Sequence, residues 1–463
     1  MSGYMSYHWE SEKHTSNGLR YKVVLSDYLL HGESDQPEAT MFSFSYIATE
    51  QAVGRPVMFA YNGGPGAASA WLHMGLLGPV LAQIPGYPDE LEKPARYDLV
   101  ENADFLLDVC DIVMVDPVGA GWARLLEESA APRHYSTGGD ASDFADFICH
   151  WLAQNGRTGA PVYLLGESYG TIRNVALADA LPDSVDLRGI IHIGTSLNVG
   201  AKTSLYVEPN VRRLGANAAV CWYHCHQNDF SRDEFVAQAM DFAYGDYARA
   251  LLLGNRMPEE ERREVSQKLS YFTGISQEFL WDKGLRFSEV DFLIRSVPGA
   301  MVSTYDARLL YRPKTGETYS ENAMGSADII EPDMEKDAFM SSIGPVYDEA
   351  LQQYVAAELC PPQREAVSDL LGIGRRWDYR GYEKDTLSLS MELVAQRPYL
   401  KTLFINGYYD LQSTFDFVSY YLSRFPMPEE NVRHVVFPSG HASYVGDGMV
   451  AAVSKEIREF IKA

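Results

Sequence analysis

The chain has 463 residues, 46% of them hydrophobic and 22% charged, a balance that supports a large buried core and excludes a disordered or fibrous protein. Its 63 acidic residues against 39 basic ones leave a formal charge of −24, which repels phosphate backbones and anionic lipid headgroups, so no nucleic-acid or membrane partner is expected. Residues 1–10 are polar, without the basic start and apolar stretch of a signal peptide, and no apolar run approaches membrane-spanning length. The five cysteines are odd in number and scattered, so the expectation is a reducing, cytoplasmic setting without a disulfide framework.

In chain order, short β-rich runs bounded by turn residues predict buried strands at 56–61, 111–116, 161–165, 187–193 and 401–405, with a further β-rich run at 434–437. Helix-compatible sequence separates them. Across 141–155, Phe144, Phe147, Ile148, Trp151 and Leu152 recur at helical spacing and form one apolar face suited to a sheet. Strands alternating with helices predict an α/β fold with a mostly parallel sheet. From about 198 to 314 the pattern turns helical with charged faces, as across 257–271, and is read as an inserted cap. The stretch 316–334, rich in Ser, Glu and Asp, is expected to be a surface loop. The expected organisation is a core from residues 1–198 and 317–463, with a mainly helical cap at 199–316.

The segment Leu165-Gly166-Glu167-Ser168-Tyr169-Gly170 stands between a predicted strand and helix-compatible sequence, the context of a nucleophile elbow. Glycines two positions either side of Ser168 remove Cβ atoms that would crowd so sharp a turn. A serine hydroxyl is inert at neutral pH unless a base takes its proton and a carboxylate fixes that base. His441, in Pro438-Ser439-Gly440-His441-Ala442, follows the 434–437 run, and Asp410, in Asn406-Gly407-Tyr408-Tyr409-Asp410, follows the 401–405 strand. Singly, Asp410 reads equally as a helix cap and His441 as a turn residue. Jointly, the order Ser168, Asp410, His441 at strand ends is that of a catalytic triad on an α/β-hydrolase fold. The two amides that would stabilise an oxyanion are assigned to Gly64 and to Tyr169, the residue after the nucleophile. Gly64 lies in the loop Asn62-Gly63-Gly64-Pro65-Gly66, which by itself reads equally as an ordinary tight turn.

These blocks resemble the serine carboxypeptidase family. The resemblance rests on Asn62-Gly63-Gly64-Pro65-Gly66 with the later Gly78-Pro79, on Asp116-Pro117-Val118-Gly119-Ala120-Gly121, on Gly166-Glu167-Ser168-Tyr169-Gly170, and on the Asp410 and His441 segments. The extension Trp71-Leu72-His73-Met74-Gly75 is similar to the bacterial branch. The likeness implies an acid-favouring exopeptidase that takes a peptide with a free C-terminus and removes one residue through an acyl-enzyme. It also implies that Asn62, Gly63 and Glu167 bind the terminal carboxylate, with a proton shared between the two carboxyl groups.

Departures from the family pattern bear on this implication. Family members carry a second glutamate two residues before the glycine of the Gly78-Pro79 block, and here that position is Leu76. An esterase or acyltransferase using the same triad is therefore the alternative reading. Ala67 stands where many members have a disulfide cysteine, and Ala123 where a serine is common. Leu76 and Trp122 are candidate pocket residues, a core position being the equal alternative for Trp122. A noncatalytic ligand-binding protein is the third reading; it predicts loss of a triad member, and all three are present.

No cofactor is expected, because the glycine loop lacks the closing Lys and Ser/Thr of a phosphate loop. Cys221, His224, Cys225 and His226 form a compact group without a second ligand pair at zinc spacing, so no metal is expected there. Arg124, Arg212 and Arg213 are read as solvated structural residues. Nothing in the pattern fixes an oligomeric state.

Overall fold

The computed structural model describes residues 7–32, 36–50, 54–91, 93–197, 208–227, 229–312, 337–424 and 428–463; the expected surface loop at 316–334 lies outside them. Three antiparallel strands come first, β1 (His8–His14), β2 (Arg20–His31) and β3 (Pro37–Ala48). They are followed by β4 (Val57–Tyr61), β5 (Asp111–Asp116), β6 (Val162–Glu167), β7 (Leu187–Ile193), β8 (Lys401–Gly407) and β9 (Val432–Phe437). These six pair in parallel in the order β5-β4-β6-β7-β8-β9. β3 pairs antiparallel with β5, and the two-residue strand Arg124–Leu125 pairs with β3, which completes one 10-stranded sheet.

The sequence-predicted runs fall on β4 to β9 with small shifts at their ends, and the mostly parallel α/β sheet is as expected. β1 to β3 have no counterpart among the expected strands. β1 reads His-Trp-Glu-Ser-Glu-Lys-His and stays partly exposed along its length, an edge strand with no apolar run to mark it. β3 is mostly buried on both faces, which erases the alternation that reveals a half-buried strand.

Successive residues of a strand point to opposite faces, and here they enter two separate cores. Met58, Ala60, Ile112, Met114 and Leu165 pack with the helices Ala338–Glu358 and Met449–Lys462. Val57, Phe59, Val113, Val115 and Leu164 pack with the helices Thr137–Gln154 and Tyr169–Ala180. In Thr137–Gln154 the five apolar residues from Phe144 to Leu152 are all buried, as their spacing predicts. Each such side chain contributes roughly 1.5–3 kcal/mol relative to leaving it in water.

Between 209 and 295 the chain forms a run of helices, among them Leu214–Cys221, Arg232–Phe242 and Glu259–Thr273. Their apolar faces build a third core from Leu214, Phe235, Tyr247, Leu269 and Phe272, which continues into Tyr409, Leu411 and Phe415. A small hairpin follows, Met301–Val302 with Leu310–Tyr311.

One buried ion pair joins the two helices beneath the elbow. Arg173 is fully buried; its guanidinium donates to both carboxylate oxygens of Asp140 at 2.7 and 3.1 Å and to the Asn62 carbonyl at 2.8 Å. It also lies over the rings of Tyr61, Phe144 and Tyr169 at 5.1, 4.5 and 5.3 Å. Removing one partner of such a pair leaves an uncompensated buried charge, a loss of about 3–5 kcal/mol. Arg173→Met is expected to show that loss in urea denaturation, and Arg173→Met with Asp140→Leu to recover much of it. A single-variant loss below about 1 kcal/mol, the range of exposed pairs, would contradict the assignment.

Candidate active site

β6 ends at Glu167 and the helix Tyr169–Ala180 starts two residues on, so the chain must reverse at Ser168. Ser168 takes φ 57° and ψ −123°, a conformation that L-residues hold only where the surroundings impose it. Gly166 and Gly170 make this possible. A Cβ on Gly166 would lie 2.1 Å from the Gly170 carbonyl oxygen, and one on Gly170 would lie 3.0 Å from the Tyr61 carbonyl oxygen.

Asp410 and His441 stand on the loops that follow β8 and β9, and both are buried. His441 Nδ1 lies 2.9 Å from Asp410 Oδ2. The same carboxylate accepts the amides of Gln412 and Ser413 at 2.8 and 2.9 Å, and the Ser413 hydroxyl. A carboxylate facing Nδ1 fixes the proton on that nitrogen and leaves Nε2 as the basic one. Nε2 has no hydrogen-bond partner among the described residues, as is common before a ligand tightens such a site. Ser168 and His441 each stand against the end of β7. The Ser168 amide donates to the Ile193 carbonyl at 2.9 Å, and the adjoining Gly194 abuts the imidazole, where a Cβ would lie 2.8 Å from Cε1.

The hairpin and the helical run both hold these loops. The His441 amide donates to the Tyr305 carbonyl at 2.7 Å, and the Tyr305 ring stands edge-on to the imidazole with centroids 5.5 Å apart. The Ala307 amide donates to the Tyr409 carbonyl at 2.9 Å, and Arg213 Nη2 donates to the Leu411 carbonyl at 2.6 Å.

The glycine loop presses on the start of the elbow helix. A Cβ on Gly63 would lie 2.5 Å from the Tyr169 amide nitrogen, and that amide, the first of its helix, has no acceptor within the helix. Gly64 has φ +103° and sits under Leu370, whose Cδ1 would be 2.5 Å from a Cβ there. Gly63 thus packs on the backbone of Glu167 and Tyr169 and on the Cβ of Ser168 in one cluster, with Gly64 next to it in the chain. Asp116 braces the loop, accepting the amide and hydroxyl of Ser69, both at 2.8 Å.

Glu167 is buried beside this cluster. Asn62 Nδ2 and the Tyr444 hydroxyl both donate to Glu167 Oε2 at 2.8 Å, while Asn62 Oδ1 accepts the Leu72 amide at 3.0 Å and so fixes the amide's orientation. Burial pushes the Glu167 carboxyl up to about 7, against the opposing pull of His441 and of the Tyr444 and Asn62 hydrogen bonds. Burial also works against a charged His441, but the charge and hydrogen bond of Asp410, with a further contribution from Glu167, outweigh it and raise His441 above its ordinary value.

Both candidate pocket residues are buried, Trp122 in the core position that its sequence equally allows. Leu76 is fully buried in the core that packs on the Ala338–Glu358 helix, and its carbonyl accepts Asn102 Nδ2 at 2.9 Å. Trp122 stands edge-on to Phe44 at 5.5 Å and tilted against Phe42 at 5.9 Å. The arginines read as solvated are likewise held by protein. Arg124 Nη1 donates to the Gly121 and Ala123 carbonyls, Arg212 lies over the Phe417 ring at 4.9 Å, and Arg213 pairs with Glu289.

In the compact Cys/His group the thiols of Cys221 and Cys225 face each other, while the histidines go to separate partners. Cys221 Sγ faces the Tyr271 carbonyl at 3.5 Å, His224 Nε2 pairs with the Ala307 carbonyl at 2.7 Å, and His226 stacks on Phe235. Among the described residues no group of three His, Cys, Asp or Glu side chains could hold a metal ion, and no helix is long and apolar enough to cross a membrane.

A serine at a strand-to-helix elbow, with an acid and a histidine on the loops after β8 and β9 of a mostly parallel sheet, defines the α/β-hydrolase fold. Within that class, residues 22–188 match the serine carboxypeptidase family, which bears out the resemblance carried by the glycine loop and the elbow. Among solved structures, Kex1Δp, a prohormone-processing carboxypeptidase from Saccharomyces cerevisiae, is 14% identical with a TM-score of 0.52, over 95% of this chain and 91% of that one. An open-form lipase is 13% identical over 98% of both chains, with a TM-score of 0.39. The peroxisomal α/β-hydrolase Lpx1 of Saccharomyces cerevisiae is 11% identical over 99% of this chain and 90% of that one, also with a TM-score of 0.39. At 14% identity the Kex1Δp likeness concerns the fold alone. No curated protein sequence matches the chain.

Ser168 is expected to react with a fluorophosphonate at a rate that climbs with pH, because its base must be neutral. His441 is raised from 6.5, so the climb is centred above that value. Asp410→Asn should slow the reaction by about 10³- to 10⁴-fold, read by intact-mass spectrometry. A flat pH profile would rule out His441 as the base.

Proposed function

We propose that this protein is a serine carboxypeptidase, removing residues from the free C-terminus of peptides through an acyl-enzyme. The observation that carries this reading is the buried Glu167 carboxyl, placed next to the nucleophile and held by Asn62. A plain esterase has no use for an ionisable carboxyl there, since burying one without a charged ligand to meet is costly.

In this reading His441 Nε2 takes the Ser168 proton as Oγ attacks the scissile carbonyl carbon, and the carbonyl electrons move onto oxygen. The Gly64 and Tyr169 amides donate hydrogen bonds to that oxygen. Collapse of the intermediate breaks the C–N bond, His441 returns its proton to the departing amine, and Ser168 keeps the acyl group. Water, deprotonated by the same nitrogen, then releases the acid and restores the hydroxyl. Asp410, hydrogen-bonded to Nδ1, stabilises the imidazolium each time it forms. Glu167, in its neutral form, donates through Oε1 to the terminal carboxylate of the peptide; two ionised carboxylates could not share that contact.

The working enzyme thus needs Glu167 protonated and His441 neutral. Glu167 is protonated below about 7 and loses its proton above it, whereas His441, raised from 6.5, is neutral only above its own shifted value. The two interact, so kcat/KM on free-acid peptides is expected to be bell-shaped near neutrality, with limbs that belong to the pair. Glu167→Gln should remove the alkaline limb.

The deciding experiment digests paired peptides, free acid and C-terminal amide, across pH, with Ser168→Ala as control and mass spectrometry as readout. Free acids should be shortened stepwise and preferred by roughly 10- to 100-fold, the worth of a charged hydrogen bond. Equal cleavage of both, or hydrolysis of simple esters alone, would hand the site to the esterase or acyltransferase reading, which Leu76 already admits.

A further inference from the structure

We infer that Tyr444 is the positioning residue of the carboxylate site, its phenol holding Glu167 in the place that the family gives to a second glutamate. This rests on the carboxypeptidase reading above and deepens it. The residue that could have been that glutamate, Leu76, is turned into the core and fully buried. The neighbouring Gly75 leaves room for the tyrosine: a Cβ there would lie 2.3 Å from Tyr444 Cε2. One short segment therefore both loses the carboxyl and admits the ring. Tyr444 is itself buried, stands edge-on to Tyr347 with centroids 6.4 Å apart, and donates to Glu167 Oε2 at 2.8 Å. Asn62 uses the same oxygen at 2.8 Å, so both donors hold Oε2 and Oε1 is turned over to the ligand.

The exchange of a carboxyl for a phenol changes how the site titrates. A pair of carboxyl groups shares a proton and exchanges it with solvent in two coupled steps. A phenol in this place stays neutral: burial and the nearby Glu167 push Tyr444 well above its ordinary value. The groups facing Glu167 are then His441, Asp410, Asn62, Tyr444 and, more distantly, Tyr347, and Glu167 is the one carboxyl at the site whose proton the ligand needs. Recognition of a free C-terminus is thereby governed by a single ionisation near neutrality, where a carboxyl pair would spread it over two coupled steps.

The test compares wild type with Tyr444→Phe and, as a second route to the same effect, Gly75→Ala, whose methyl would displace the ring. Loss of the phenol removes a donor that favours ionised Glu167, so the Glu167 pKa should rise by about one unit. That titration is read directly by carboxyl ¹³C NMR on a Ser168→Ala background, with Glu167→Gln to assign the signal. In the active enzyme, at a pH well below 7 where Glu167 is protonated with or without the phenol, the preference for free-acid over C-terminal-amide peptides should fall about tenfold, and the alkaline limb should move up with the carboxyl. A structural defect alone would lower cleavage of both peptides and leave their ratio unchanged. An unmoved Glu167 titration together with an unmoved ratio in the folded variant would overturn the assignment. If wild type shows no preference for free acids, the carboxypeptidase reading falls and this inference with it, while a shifted Glu167 titration would still locate the phenol's hold.

Discussion

At the end of β6 the chain turns from strand to helix within a single residue, and backbone crowding there sets where every other group stands. The turn closes because the Cα of Gly166 comes against the Gly170 carbonyl and Gly170 against that of Tyr61. That contact fixes Ser168 in a conformation it would not otherwise hold, points the Tyr169 amide at the glycine loop, and leaves Glu167 as the last strand residue, facing inward. The buried Arg173 then ties the elbow helix to Asn62 on the next strand's loop. Nucleophile, amide donors and carboxyl are consequently set by one piece of backbone geometry, and only the acid and the histidine arrive from elsewhere.

The electrostatics follow from that placement. Two buried carboxyl groups, Glu167 and Asp410, act on one buried imidazole, and burial disfavours charge on Glu167 and on His441. Asp410 is met by two backbone amides and a hydroxyl as well as the imidazole, which suits an ion. Glu167 is met by one amide and one phenol on a single oxygen, a poorer shell, and it is this group that burial pushes towards neutrality. The difference in hydrogen-bond supply separates the roles of two chemically similar side chains.

The parallel half of the sheet and the candidate positions Ser168, Asp410 and His441 at strand ends were legible in the sequence because each leaves a local mark: an apolar run, a glycine pattern, an order along the chain. β1 to β3 leave none, since an exposed polar edge strand and a strand buried on both faces both lack the expected alternation. Tyr444 could not have been read either. Its partner is 277 residues away, and three residues after the histidine it looks like any aromatic residue. Gly75, whose missing Cβ leaves room for the ring, carries no mark in the sequence that tells it from other glycines. The burial of Leu76 and Trp122 is hidden for a related reason: spacing along the chain does not report which way a side chain points.

The third core bears on how the protein can change. Its apolar side chains come from the helices between 209 and 295 and also from Tyr409, Leu411 and Phe415, the residues that flank Asp410. Arg213 holds the Leu411 carbonyl, and Asp416 accepts the Ala216 amide at 3.0 Å. The helical module is therefore a buttress to the acid loop, built into the same masonry, and not a shutter hung beside it. A lineage that remodels this module to admit new side chains would disturb the alignment of the acid at the same time, so substrate range and catalytic competence are free to drift only together.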